Sequence, residues 1–371
     1  MPLRIACVAG ARPNFMKVKP VLVALESRGV ETLLVHTGQH YDAAMSDIFF
    51  ADLGIRPPDY SLGVGSGTHA TQTARIMTAF EEVMDQTRPD VVAVVGDVNS
   101  TVACALVAAK AGSRVAHVEA GLRSRDWAMP EEINRVVTDR LSDYLFAPSQ
   151  DAVDNLRSEG YRPDQVHLVG NVMIDCLLSN LERATQQPVR AELGVEAGGY
   201  ALATLHRPSN VDDEATLDRI VTALVRISDQ VPVLFPVHPR TRSRLASRPL
   251  GDVRLLEPLG YLDFVALQAQ AGVVITDSGG IQEETTVLGV PCLTVRENTE
   301  RPITVSEGTN QVVGTSTERI YAAAVEVLQD RPPARRPALW DGKAAERIAD
   351  VLISPDRPGR PTDLPQDGPG R

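Results

Sequence analysis

At roughly 150 residues per domain, a chain of 371 residues holds two domains and a remainder. Hydrophobic residues are 43% and charged residues 23%, a globular balance that excludes a disordered or fibrous chain. The net charge is −11 without a basic block, and aromatics are 4%. Phosphate backbones need clustered Lys and Arg, and single strands need stacking platforms, so neither a nucleic acid nor an anionic membrane surface is an expected partner.

In chain order, Leu3–Val8 reads as a strand and is followed by a helical stretch to about Ser27, then a strand at Thr32–Thr37. Ile76, Met77, Phe80, Val83 and Met84 fall at helical spacing. Val91–Val95 is wholly apolar, as a parallel strand covered on both faces should be. Strands at Arg114–Val118 and Tyr144–Ala147 alternate with helices near Glu131–Ser142 and Gln150–Ser158. After a joint near Gly170–Asp175, a helix to about Arg183 and a connection over 186–199, a second series begins. It places strands at Ala201–Leu205, Val233–Val237, Gly272–Thr276 and Pro291–Val295, with Leu217, Ile220, Val221, Leu224 and Val225 on one helical face. A last helix, Lys343–Ile353, precedes a tail rich in proline and glycine that is expected to be disordered.

This pattern predicts an α/β chain of two Rossmann-like doubly wound domains facing a cleft. The expected limits are residues 1–172 for the N-terminal domain and 173–340 for the C-terminal one. A helix in 341–354 would return to the N-terminal domain, and the tail would be 355–371. No run approaches the ~20 apolar residues of a membrane span. Cys7, Cys104, Cys176 and Cys292 lie far apart and read as buried thiols of a reducing compartment, hence a cytoplasmic protein. No histidine or cysteine pair has metal-ligand spacing.

Ligands of such sheets bind beyond the carboxyl ends of the strands, so the strand-to-helix turns carry the candidates. Gly10–Lys17 offers a glycine, a helix start and the cations Arg12 and Lys17, which suits a diphosphate; a solvated turn with surface cations would read alike. Thr276–Glu284 again leads from a strand into a helix. There Ser278, Gly279 and Gly280 can meet phosphate oxygens and Glu284 can meet ribose hydroxyls, unless the run is only a capped, Gly-rich helix start. Asp97 and Glu119 end neighbouring strands, and Glu131 follows Pro130 at a helix start. Such acids can move a proton, or can merely cap and complement helices. His206 and Arg207 end the first strand of the second half, where a functional and a structural role are equally open.

Taken in order, GARPNFMK, TGQHYD, VVGDVNST, HVEAGLRS, PEEINR, GNVMID, LHRPSN, PVHP, DSGGIQEETTVLGVP and TERP form a set that resembles the UDP-N-acetylglucosamine 2-epimerases of the non-hydrolysing type, from about Leu3 to Ile353. The resemblance implies the glycosyltransferase-B architecture, a homodimer, a UDP-sugar substrate, and interconversion of UDP-GlcNAc and UDP-ManNAc with neither metal nor nicotinamide cofactor. Position by position it implies catalysis by Asp97, Glu119, Glu131 and His206. It implies UDP and sugar contacts from Arg12, Lys17, Arg207, Ser278, Gly279, Gly280, Glu284 and Arg301, with Gln39 and His40 at positions used for regulation. Two departures stand out. Many relatives read HRREN where this chain has His206-Arg207-Pro208-Ser209-Asn210, and Gly65–Gln72 does not match the regulated members. The alternatives are a hydrolysing 2-epimerase, an epimerase of a modified UDP-sugar, a glycosyltransferase of the same architecture, and a non-catalytic sugar-nucleotide sensor.

Overall fold

The computed structural model describes residues 3–38, 54–246, 248–356 and 358. The chain divides into two units, Met1–Cys176 with Asp341–Arg371, and Leu177–Trp340.

Unit 1 carries seven described strands: β1 (Arg4–Ala9), β2 (Glu31–His36), β3 (Tyr60–Ser61), β4 (Val91–Val95), β5 (Arg114–Val118), β6 (Tyr144–Ala147) and β7 (Val166–Leu168). Its helices are α1 (Arg12–Glu26), α2 (His69–Thr87), α3 (Asn99–Lys110), α4 (Pro130–Leu141), α5 (Gln150–Ser158) and the start of α6 (Val172–Thr185), which runs on into unit 2. The strands pair in the order β3-β2-β1-β4-β5-β6-β7, all parallel.

Side chains alternate across a strand, so each inner strand feeds two cores. Ile5, Cys7, Ala9, Val91, Ala93 and Val95 face one side, where Phe15, Val18 and Leu22 of α1 cover them. Ala6, Val8, Val92 and Val94 face the other, against Ile76 and Phe80 of α2 and Cys104 and Val107 of α3.

Unit 2 repeats the plan. Its elements are α7 (Val189–Glu192), β8 (Ala201–Thr204), α8 (Pro208–Val211), α9 (Glu214–Ser228), β9 (Val233–Pro236), α10 (Pro239–Leu245), β10 (Val253–Leu256), α11 (Tyr261–Ala269), β11 (Val273–Thr276), α12 (Gly279–Leu288), β12 (Cys292–Thr294), α13 (Ile303–Ser306), β13 (Asn310–Val312) and α14 (Thr317–Gln329). The strand order is β10-β9-β8-β11-β12-β13, again wholly parallel. Leu217, Ile220 and Leu224 of α9 and Ile320 and Ala324 of α14 cover one face, and Ala266 and Leu267 of α11 the other.

The last helix, α15 (Ala344–Ile353), belongs to unit 1. Ile348, Ala349 and Leu352 join the core beneath α1. Its first turn is capped by Asp175, whose carboxylate accepts from the amides of Ala344 (3.1 Å) and Ala345 (2.7 Å). Beyond this helix, Arg114 donates to the Pro358 carbonyl at 2.7 Å. Of the tail expected over 355–371, residues 357 and 359–371 lie outside the described residues. The four cysteines are buried free thiols, and burial pushes the thiols of Cys7 and Cys292 up to about 12. Among the described residues no helix is long and apolar enough to cross a membrane.

In each sheet the strand order reverses direction beside its first strand, between β1 and β4 and between β8 and β11. These are the topological switch points, where such sheets take ligands.

Candidate active site

At the switch point of unit 1, Arg12 is the first residue of α1. The preceding turn is closed by Asn14, whose Oδ1 accepts from the amides of Gly10 (3.2 Å) and Ala11 (2.8 Å) while its Nδ2 donates to the Val95 carbonyl. Those two amides are therefore already bonded. One turn on, Lys17 forms an ion pair with Glu119, and both side chains are nearly buried. Gly96 makes room for them. A Cβ there would stand 3.2 Å from Lys17 Nζ and 3.8 Å from Glu119 Oε2, and its φ of +67° would strain any L side chain. Glu119 itself lies at φ +75°, a costly conformation for a non-glycine residue that clusters at functional sites.

Asp97 follows Gly96 and pairs with Arg135 of α4, which also pairs with Glu132. Asn134 donates to the Asp97 carbonyl at 3.0 Å and to Asn99 Oδ1 at 3.2 Å, tying α4 and α3 to the same turn. The two glutamates that open α4 part company. Glu132 is buried and accepts from the amides of Ser124 and Arg125, both at 2.9 Å. Burial would raise its carboxyl, but those amides, the Ser124 hydroxyl and Arg135 outweigh it and hold the group below its usual range. Glu131 is exposed, and its side chain makes no ion pair or hydrogen bond among the described residues. Unit 1 thus gathers Lys17, Glu119 and Asp97 around Gly96, with Glu131 at the start of the helix that holds Asp97.

At the switch point of unit 2, Asp277 directly follows β11 and is fully buried. It accepts from the amides of His206 (3.1 Å) and Arg207 (3.0 Å) and from Asn210 Nδ2 (3.1 Å), and His206 Nδ1 lies 2.8 Å from its Oδ1. Burial alone would push the Asp277 carboxyl up; the hydrogen bonds and charge of His206, with the Arg207 amide and Asn210, leave it below the ordinary range. The His206 side chain is held on one edge yet stays 59% exposed.

Ser278 precedes α12, and no side chain caps that helix. The Ser278 amide donates to Thr276 Oγ1 at 3.0 Å, which leaves the amides of Gly279 and Gly280 to meet an anion. Arg301 lies over this start, its Cζ 3.5 Å from where a Gly279 Cβ would be. Arg301 Nε is 2.9 Å from Glu283, and Glu300 lies 2.8 Å from both Arg207 Nη2 and Arg296 Nη1. Burial works against the Glu300 carboxylate, but Arg301, Arg296 and Arg207 together bring it down to about 2. Three guanidiniums thus share two carboxylates beside an uncapped helix start, a cationic surplus suited to a diphosphate. Glu284 sits in the second turn of α12, 3% exposed. Burial, with Glu283 adding to it, raises its carboxyl to about 7 despite the opposing pull of the nearby Gln268 amide.

Gln39 and His40 lie outside the described residues. Sequence reasoning missed Arg135, Asp277, Arg296 and Glu300. Asp277 and Glu300 stand inside the quoted motifs, next to residues that were singled out. Arg135 closes the quoted PEEINR run, one turn after Glu131, whereas Arg296 carries no local signal that separates it from surface arginines.

Two doubly wound parallel Rossmann-like units, each with polar groups at its switch point, define an α/β chain of the glycosyltransferase-B class. The chain belongs to the UDP-N-acetylglucosamine 2-epimerase family, whose model matches residues 23–353. The UDP-N-acetylglucosamine 2-epimerase of Methanocaldococcus jannaschii is 42% identical over 94% of this chain and 99% of its own length. The crystal structure of that epimerase in complex with UDP-GlcNAc and UDP superposes with a TM-score of 0.85, over 94% of this chain and 99% of that one. The Neisseria meningitidis enzyme bound to UDP-GlcNAc is 30% identical, with a TM-score of 0.86 over 95% of this chain and all of that one. A UDP-2,3-diacetamido-2,3-dideoxy-D-glucuronate 2-epimerase of Pseudomonas aeruginosa is also 42% identical, over 94% of this chain and 99% of its own length.

Proposed function

We propose that the protein is a non-hydrolysing 2-epimerase that interconverts UDP-GlcNAc and UDP-ManNAc, supplying ManNAc-type sugars for polysaccharide or glycoconjugate synthesis, and that it works as a cytoplasmic homodimer. The observation that carries this reading is the 42% identity, over nearly the whole chain, to an epimerase whose solved structure holds UDP-GlcNAc and UDP.

The C2 proton of an N-acetyl sugar is not adjacent to a carbonyl, so direct removal is slow. Breaking the C1–O bond first, with its electron pair leaving on UDP, gives C1 oxocarbenium character and acidifies C2–H. A carboxylate then takes the proton, the C–H pair becomes the C1=C2 bond, and 2-acetamidoglucal and UDP result. Protonation of C2 on the opposite face and re-addition of UDP to C1 give the epimer.

In this reading the Ser278, Gly279 and Gly280 turn, with Arg207 and Arg301, holds the departing diphosphate, and His206 assists its departure. Preorganised donors aimed at developing charge are the largest lever available for such a step. Glu284 meets the ribose. Arg12 and Lys17 contact phosphate; an ammonium has three donors, and the Glu119 pair leaves others for it. Asp97, Glu119 and Glu131 share proton removal, proton return and stabilisation of the cationic sugar, a division typically worth about 10²–10⁴-fold per positioned acid or base.

A second reading has specific support. The Pseudomonas aeruginosa relative, equally identical, acts by its name on a diacetamido glucuronate, so a modified UDP-sugar competes as substrate. Parallel incubation with UDP-GlcNAc and with UDP-2,3-diacetamido-2,3-dideoxy-D-glucuronate, assayed for the C2 epimer and for free sugar, tests both. The proposal expects faster turnover of UDP-GlcNAc with no free ManNAc. Preference for the glucuronate transfers the assignment to the second substrate, and stoichiometric ManNAc and UDP would make the enzyme a hydrolysing one.

A further inference from the structure

Among the buried ionisable groups that the mechanism above leaves unused is a histidine–aspartate pair. His117 on β5 and Asp139 on α4 are both fully buried, with His117 Nδ1 2.6 Å from Asp139 Oδ1. On its other edge His117 Nε2 donates to the Gly96 carbonyl at 2.8 Å. Asp139 is held in turn by Arg123 at 2.8 Å, and its Oδ2 accepts from the Gly121 amide at 3.1 Å. Arg123 also pairs with Glu159 at 2.6 Å.

The connections converge on the two turns that carry the acids. Gly96 immediately precedes Asp97, and its own amide donates to the Val118 carbonyl at 3.1 Å. Gly96 is therefore gripped on both sides by the end of β5. Gly121 follows Glu119 by two residues, and the amides of Glu119 and Ala120 both donate to the Phe146 carbonyl. The left-handed backbone of Glu119 survives because the residues after it are pinned by Phe146 and Asp139, since strained residues persist only where their surroundings over-determine them.

We propose that His117 and Asp139 are a positioning pair that locks the Gly96–Asp97 turn and the Glu119–Gly121 turn in one mutual register, without touching substrate. Its catalytic consequence rests on the 2-epimerase reading; its structural consequence does not. Proton transfer to and from C2 tolerates little misplacement, and a shift of about 1 Å in such a group can cost on the order of 10²-fold.

The test uses the full-length enzyme with His117→Phe, which removes both bonds, and His117→Gln, whose amide N–H reaches toward Gly96. His117→Phe should lower kcat on UDP-GlcNAc about 10- to 100-fold with KM held within about twofold, and His117→Gln should recover most of the loss. Amide hydrogen exchange supplies the second readout, with the Gly96 amide exchanging about tenfold faster in His117→Phe while the inner amides of β4 and β5 stay protected. If His117→Phe does not fold, His117→Asn, which keeps the Asp139 side and drops the Gly96 bond, replaces it in both measurements. Unchanged kcat per folded enzyme, or unchanged Gly96 exchange, overturns the proposal. A wild type that does not turn over UDP-GlcNAc instead refutes the substrate reading, and the exchange experiment still decides the positioning role.

Discussion

Glu131 and Glu132 are neighbours of the same type, yet α4 turns them in different directions. Glu132 satisfies two backbone amides and a buried arginine; Glu131 is left exposed. Their replacements should separate accordingly. Glu131→Gln should cut kcat by about 10²-fold or more while leaving the melting temperature unchanged, since no bond is lost. Glu132→Gln should destabilise by about 2 kcal/mol, because the buried Arg135 keeps Asp97 but loses its second carboxylate. Activity assays and thermal melts of the two variants check this, and equal melting temperatures would contradict it. The family resemblance singled out Glu131, but the residues alone place both acids at a helix start and do not tell which of the two the fold buries. The same holds for the two glycine turns. Both read as strand-to-helix turns able to meet phosphate, and only the fold shows that Asn14 takes the Gly10 and Ala11 amides while no side chain caps α12.

At the scale of elements, the inner strands were legible because burial on both faces forces a continuous apolar run. Val91–Val95 is the clearest instance, with the same limits in sequence and structure. The outer strands were not. β3, β7, β10 and β13 have two to four residues and are partly exposed, so their composition does not differ from a loop. Nor was the cap of α15 legible, since Asp175 and Ala344 are far apart in sequence and meet only in the fold. Asp175→Ala should cost about 1 kcal/mol by uncapping α15, within the usual range for a helix cap. Urea unfolding of the variant should show this loss, and amide exchange should place it in α15; a loss spread evenly over unit 1 would contradict the capping role.

Across the whole molecule, an acidic chain of net charge −11 keeps its cationic surplus local, on Arg207, Arg296 and Arg301. Ionisation also sets how stability responds to pH. Glu284 titrates near 7 in the fold against an ordinary 4.5. Between those values the folded chain holds a proton that the unfolded chain has released, so stability falls as pH rises through the window, by an amount on the order of 3 kcal/mol. Glu284→Gln should therefore gain stability over wild type at pH 8 and little at pH 5. Thermal melts at both pH values read the difference, and an equal gain at each would contradict the assignment. The two-unit α/β plan followed from strand–helix alternation, and the family from an ordered set of motifs; the division of labour among the acids needed the side-chain contacts. The central claim, reversible exchange at C2, is tested most directly by proton NMR of UDP-GlcNAc incubated with the enzyme in deuterium oxide. The account predicts the anomeric signal of UDP-ManNAc and deuterium at C2 of both sugar nucleotides. UDP-GlcNAc that persists with its C2 proton intact would contradict it.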